Sequence, residues 1–344
     1  RDGLSLGLLA LVPTVACSDD DAPREPYVEL REPCADHNPL RNLYFGDLHV
    51  HTSWSFDAYL NHVRVDPASA FDFARCESVM IPPLDGMGQG TQALSLDRPL
   101  DFAAVTDHGE FIGEVTACAE EDSPVYDTEF CQEMRNPLDA ELMVAFGLRL
   151  NTETPARFPQ LCTETDPEAQ MDCQQRAVET WSRMQEITEA AYDRSASCNF
   201  TSFHAYEWSG ALMLSNLHRN VVFRNDRVPA VPISHFEQPS PEGLWHALED
   251  GCLDGGPNGC DVITIPHNAN WSNGKLFAIE EPQGEDREAW FALRARIEPI
   301  VEMFQHKGDA ECRNGLGAIL GEPDEACSFE KIRRSDVSDC GTAT

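Results

Sequence analysis

The strongest constraint on this chain is a set of short apolar runs, several of which end in a side chain able to bind metal. Runs of strand length lie at 43–50, 102–106, 200–208, 220–223, 262–265 and 300–304. Several are near-continuous in Val, Ile and Phe, the composition of strands buried on both faces of a parallel sheet. Helical patterns lie between them. The longest covers about 169–194, with Ala177, Trp181, Met184, Ile187 and Ala191 on one stripe; others cover about 285–297 and 241–249. This alternation predicts an α/β fold on a parallel sheet or barrel. Residues 76–100, rich in Gly and Pro, read as a long loop. An acidic, cysteine-bearing insertion, about 110–198, is expected over the mouth of the fold.

Side chains two apart on a strand share a face. Asp47, His49 and His51 therefore point one way. His108 shares a face with Phe102, Ala104 and Thr106, while Asp107 points oppositely. Glu207 lies with Phe203 and Ala205, which puts His204 behind the sheet, and His267 lies with Ile263 and Ile265. In α/β folds the chemistry sits at the carboxyl ends of the strands. Taken singly, these residues have ordinary readings as a surface pair, a loop dipeptide or a strand cap. Glu207 is the most telling, because a carboxylate inside an apolar run needs a cation or a hydrogen-bond partner. Together the imidazoles and carboxylates suit Zn, Mn or Fe. A hydroxide held between such metals is a strong nucleophile at neutral pH. His218 precedes its strand, so geometry does not select it. His37, His62, His235 and His246 lack strand context and read as surface residues.

The formal net charge is −34, and no Lys/Arg patch is visible, which argues against a nucleic-acid partner. Arg1, the apolar stretch 4–16 and the sequence Thr14-Val15-Ala16-Cys17 read as a lipoprotein-type signal over residues 1–17, with lipid attachment at Cys17. The apolar stretch is too short to span a bilayer. Residues 18–41, acidic and Pro-rich, read as a tether, leaving 42–344 as the folded domain. Of the 13 cysteines, Cys17 aside, an even number remains, as a disulfide framework in an oxidising compartment requires. Cys162/Cys173, Cys252/Cys260 and Cys312/Cys327 are close enough in sequence to bridge locally. The expected location is the periplasm or outer membrane of a Gram-negative-type bacterium.

GDLHVHT, AVTDHGE, the Glu of FHAYEWSG, and TIPHN resemble motifs of the PHP superfamily, the polymerase and histidinol phosphatase metallo-hydrolases. More narrowly, YFGDLHVHTSWSFDA, FAAVTDHGEF, YEWSG, HRNVVFRN, PHNANWSNGKLF and EMFQHKGDAEC resemble one PHP-like family, domain of unknown function 3604. The resemblance implies a distorted (β/α)7 barrel around two or three divalent metals. Their ligands would be His49, His51, Asp57, His108, a bridging Glu207, His218 and His267. It further implies phosphoester hydrolysis of a small anionic substrate, with Glu207, Asp107 and Lys307 as catalytic groups and Arg219, Asn268, Asn270 and Lys275 as substrate contacts. Hydrolysis of a sulfate ester or amide, or capture of an anion or metal by a non-catalytic periplasmic lipoprotein, is the alternative. Two departures stand out. The superfamily's final Asp-x-His motif has no counterpart in the closing SDVSDCGTAT, so the barrel is expected to be incomplete. The stretch between His108 and Glu207 is also far longer than a βαβ unit needs.

Overall fold

The computed structural model describes residues 27–136, 141–163, 166, 169–267, 269–277 and 286–303. The chain runs β1 (Gly46–Val50), α1 (Phe56–Leu60), α2 (Pro67–Ala74), β2 (Val79–Leu84), β3 (Gly90–Leu94), β4 (Phe102–Val105), α3 (Ile112–Ala119), α4 (Glu129–Arg135), α5 (Glu141–Leu150) and α6 (Cys173–Ala191). It continues through β5 (Thr201–Phe203), β6 (Ala205–Trp208), β7 (Arg219–Phe223), α7 (Pro241–Leu248), β8 (Val262–Pro266) and α8 (Arg287–Ile297). Several helix starts follow from local chemistry. The Asp66 carboxylate caps α2 ahead of Pro67, Asp172 caps α6, and Ser240 caps α7 ahead of Pro241.

The chain is a mixed α/β protein, but its strands are not all parallel. β1, β4 and β5 form a parallel ladder, whereas β6, β7 and β8 form an antiparallel one. The link from β6 to β7 carries only a 3₁₀ turn, too little chain for a helical crossover, so β7 returns antiparallel. The expected single strand over 200–208 breaks at His204, where β5 gives way to β6. The two ladders meet at a parallel bridge between His108 and Glu207. Asn220 Nδ2 donates to Leu48 O at 3.0 Å, tying β7 to β1. Among the described residues no ladder closes β8 onto β1. Segment 76–100, expected to be a loop, contains the β2–β3 hairpin. Much of β3 is exposed, so no apolar alternation marks it in the sequence.

A small apolar cluster lines the inner face of the curved sheet. Ala104, Ala205, Val222 and Ile265 are buried there, with Leu48, Phe203 and Ile263 packed against them. The outer layer is larger: Phe71, Trp181, Met184, Trp208, Trp245 and Trp290 join the sheet to α2, α6, α7 and α8. The insertion forms its own aromatic core with Phe111, Phe146 and Phe158, stapled by Cys118–Cys131 and Cys162–Cys173.

Two of the predicted local disulfides are present, Cys162–Cys173 and Cys252–Cys260, while Cys312 and Cys327 lie outside the described residues. Cys34–Cys198 adds a long-range bridge. Such bridges belong to an oxidising, extracellular-type environment. Among the described residues no helix is long and apolar enough to cross a membrane. Cys17 and the rest of the signal-like stretch lie outside the described residues. Residues 27–41, expected to be a free tether, are instead docked. Glu32 N–H donates to Arg194 O at 3.0 Å, and Ala35 N–H to Ala196 O at 2.8 Å, on either side of the disulfide. The bridge closes a sequence separation of 164 residues. The double substitution Cys34→Ser/Cys198→Ser is therefore expected to cost about 2–4 kcal/mol, read as a lower urea midpoint, with the metal content unchanged.

Candidate metal centre

The site begins with a defect in a strand. In β1 the register shifts by one residue between Asp47 and Val50 relative to β4. Such a bulge re-aims side chains. Here Leu48 packs with the inner cluster while His49 and His51 turn to the site. Asp47, which precedes the bulge, is exposed, and its Oδ1 accepts the His49 N–H at 2.9 Å. The strict alternation expected of Asp47, His49 and His51 is therefore broken.

Glu207, 1 % exposed, stands at the centre, reached from the ends of three strands, β1, β4 and β8, and from the loop before β7. His51 Nε2 is 2.8 Å and His49 Nε2 3.4 Å from its Oε2. His218 Nδ1 is 2.5 Å, His267 Nε2 3.3 Å and His108 Nδ1 3.4 Å from its Oε1. Asp57, in the first turn of α1, flanks one side, 3.1 Å from His51 Nδ1 and 3.5 Å from His108 Nε2. Glu302 flanks the other, 2.8 Å from His49 Nδ1. Ser55 Oγ steadies the first flank, at 2.8 Å from Asp57 Oδ1 and 3.0 Å from His51 Nδ1. The Phe56 ring stacks on His108 at 4.5 Å and on Phe146 of the insertion at 5.1 Å, sealing the back of the site. A cleft of about 780 Å³ opens beside His49, His51, Asp57 and Glu302.

Asp57 and Glu302 hydrogen-bond to His51 and His49, but the contacts to Glu207 are close without being aligned as hydrogen bonds. Both Glu207 oxygens, His51 Nε2 and His267 Nδ1 are buried without a hydrogen-bond partner. Buried polar atoms are nearly always satisfied, so such a group calls for an ion or water between its members. Four overlapping triads present ligand atoms within 4.8 Å of one another: His49–His51–Glu207, His49–His267–Glu302, His51–Asp57–His108 and His108–Glu207–His218. The residues fit divalent transition metals in number, type and spacing. A further group, Glu114–Cys162–Cys173, is spent otherwise, because the thiols form a disulfide and Glu114 pairs with Arg157 at 3.0 Å.

Electrostatics divides the ring of imidazoles. Burial opposes charge on His49, but the Glu207 and Glu302 carboxylates outweigh it and push the ring up to about 9. Burial likewise opposes charge on His51, which Asp57 and Glu207 hold well above the usual range. Burial wins at His218, brought down to about 4, and it lowers His267 as well. Glu207 resists burial because the surrounding imidazoles hold its carboxyl well below the usual range. Protons thus stand where cations would bind, and metal loading must displace them.

This gives a prediction of opposite signs. A group raised on folding stabilises fully below its unfolded pKa of about 6.5, and its contribution is lost as pH rises through the folded value. Chelator-treated protein is therefore expected to lose thermal stability as pH rises from about 6.5 towards 9, where His49 titrates. Metal affinity should instead rise over the same interval, because fewer protons compete. Differential scanning fluorimetry and metal titration across this range test both signs.

The structure brings together all seven sequence-predicted ligands, His49, His51, Asp57, His108, Glu207, His218 and His267. Two other predicted site residues belong to the scaffold. Asp107 accepts from Thr52 N–H at 2.5 Å and Thr52 Oγ1 at 2.6 Å, which ties β4 to β1 and turns it from the cluster. Burial raises its carboxyl to about 6. Arg219 is 1 % exposed and pairs with Glu298 Oε1 at 2.5 Å, so no substrate reaches it. Lys275 is exposed in a turn. Asn268, Lys307 and the side chain of Asn270 lie outside the described residues. His204 packs behind the sheet against Glu189 at 2.7 Å, as expected. His235, expected at the surface, is fully buried, with Nε2 3.1 Å from Leu150 O.

Glu302 was not singled out by sequence. Its signal is the one that marks Glu207, a carboxylate inside an apolar run, here 300–304. Among the described residues no strand forms there, but Glu302 N–H donates to Pro266 O at 3.2 Å, which sets it beside the end of β8.

Fold and site together define a disulfide-bearing α/β protein with a buried histidine–carboxylate cluster able to hold metals. The chain belongs to the family described as "Protein of unknown function (DUF3604)", whose pattern it matches over residues 38–344. No curated protein and no solved structure matches it.

Proposed function

We propose that this protein is a metal-dependent hydrolase, a phosphoesterase of PHP-like barrel architecture with a di- or trinuclear centre. The observation that carries the reading is the convergence of five imidazoles on one buried carboxylate whose oxygens have no hydrogen-bond partner. Zn, Mn or Fe bound there would acidify a water to serve as nucleophile at neutral pH and would neutralise charge on a phosphoryl oxygen. The chain's own residues set the stage. Glu207 holds the imidazoles about one centre, while Asp57 and Glu302 close its two sides. Phe56 and Phe146 exclude water from behind, which keeps the local dielectric low. Asn61, Ile265 and Val301 line the rest of the cleft, where a small anionic ester would enter. We further infer an exported, lipid-anchored protein, from the signal-like residues 1–17 ending at Cys17 and from the disulfides.

The test is a screen of aryl phosphate monoesters, phosphodiesters, sulfate esters and anilides with metal-reconstituted protein and its His49→Ala variant. Phosphoester turnover that disappears in the variant supports the proposal. Turnover of only a sulfate ester or amide would move the substrate class. Full metal loading with no turnover would replace hydrolysis by binding.

A further inference from the structure

We propose that Ser209 and Glu110 are a positioning pair that fixes the tautomer of His108 and commits this ring to the cluster through Nε2. The inference rests on the metal-centre reading above and goes beyond it by dividing the two nitrogens of a shared ligand. His108 is 3 % exposed and is held on every side. Its backbone N–H points at Ser55 Oγ at 3.3 Å, and Phe56 covers one ring face. Its Nδ1 is hydrogen-bonded to Ser209 Oγ and lies 3.4 Å from Glu207 Oε1, which has no hydrogen-bond partner of its own. Its Nε2 faces Asp57 Oδ2 at 3.5 Å, and the other Asp57 oxygen meets His51.

A neutral imidazole carries one N–H and one lone pair, and the partner of the N–H decides which nitrogen ligates. If Nδ1–H donates to Ser209 Oγ, the lone pair is on Nε2. His108 then belongs to the His51–Asp57–His108 triad and not to the His108–Glu207–His218 triad, although both are geometrically possible. Ser209 is itself pinned. Its backbone N–H donates to Glu110 Oε1 at 3.2 Å, and the His235 N–H donates to the same oxygen at 2.5 Å. Glu110 is fully buried and sits two residues after His108, with Gly109 N–H donating to Glu207 O at 2.8 Å between them. Glu110 therefore locks the loop after β6, which carries Ser209, to the loop after β4, which carries His108. The His235 ring is buried at the same junction, with Nε2 3.1 Å from Leu150 O. Phe111, next in sequence, has φ of 62°, an uncommon conformation for a bulky residue, consistent with a junction held in place by its surroundings.

The test is a stepwise Co(II) titration of the full chain and its Ser209→Ala, Ser209→Thr and Glu110→Gln variants, followed by visible absorption and thermal unfolding. In Ser209→Ala one binding step is expected to weaken about 10–100-fold, with an altered Co(II) spectrum, while the others hold. Ser209→Thr, which keeps the hydroxyl, should stay near wild type, and Glu110→Gln should weaken the same step to a smaller degree. Unchanged affinity at every step in Ser209→Ala, with wild-type protein loading normally, would overturn this proposal alone. So would equal weakening of all steps with a lower melting temperature, the mark of a merely structural role. Wild-type protein with no saturable step would overturn the metal-centre reading and this proposal with it.

Discussion

Glu207→Gln is expected to lower metal affinity by more than about 100-fold and to abolish hydrolysis with it, since even outer contacts of metal ligands are worth 10–100-fold. The substitution keeps the shape of the side chain and removes its charge. All five imidazoles then face an amide that offers N–H donors where ligand lone pairs must converge. The metal-free protein should suffer too. His49 and His51 carry protons stabilised by carboxylates that include Glu207. Removing one partner of such a buried pair costs about 3–5 kcal/mol. Metal titration and urea unfolding in chelator measure the two effects separately. A variant that kept wild-type affinity would show that Glu207 is only a core carboxylate.

Stripping the metals is the second large effect. A ligand that binds only the folded state at a thousand times its Kd stabilises it by about 4 kcal/mol. For a chain of this size that is a fall of roughly 6 °C in Tm on chelation, with complete loss of turnover. Returning Zn, Mn or Fe should restore both, and the metal giving the larger recovery identifies the one the site prefers. The disulfides remain closed throughout, so the change reports the centre and not the staples. Prior reduction should lower stability by a separate increment that metal does not recover.

Most of the cluster is written in the period-two pattern of the strands. His49 and Glu207 lie within, and His51, His108 and His267 follow, apolar runs that become β1, β4, β6 and β8. The pattern works best where the strands are buried, as β4, β6 and β8 are, so that a lone polar residue near a strand end stands out. His218 has no such signal. It lies before β7 and is known only by resemblance, because strand direction is not encoded in apolar periodicity and β7 runs opposite to its neighbours in that sequence order. For the same reason the sequence predicts parallel strands where β6, β7 and β8 are antiparallel. Asp107 and Arg219 mislead for another reason: polar residues beside ligands can be anchors, and only partners such as Thr52 and Glu298 reveal which. Ser209, Glu110 and the burial of His235 depend on loops that meet only in three dimensions. The short helices α1 and α4 carry too few turns to show a stripe, and α5 is so nearly apolar throughout that no stripe stands out.

The central claim is that this cluster holds metal, and elemental mass spectrometry tests it most directly. The sample is the soluble chain from Asp19 onward, purified without chelator beside His49→Ala/His108→Ala. The account predicts two or three transition metals per wild-type chain and their loss in the double variant. A well-folded wild-type protein with no specific metal would contradict it.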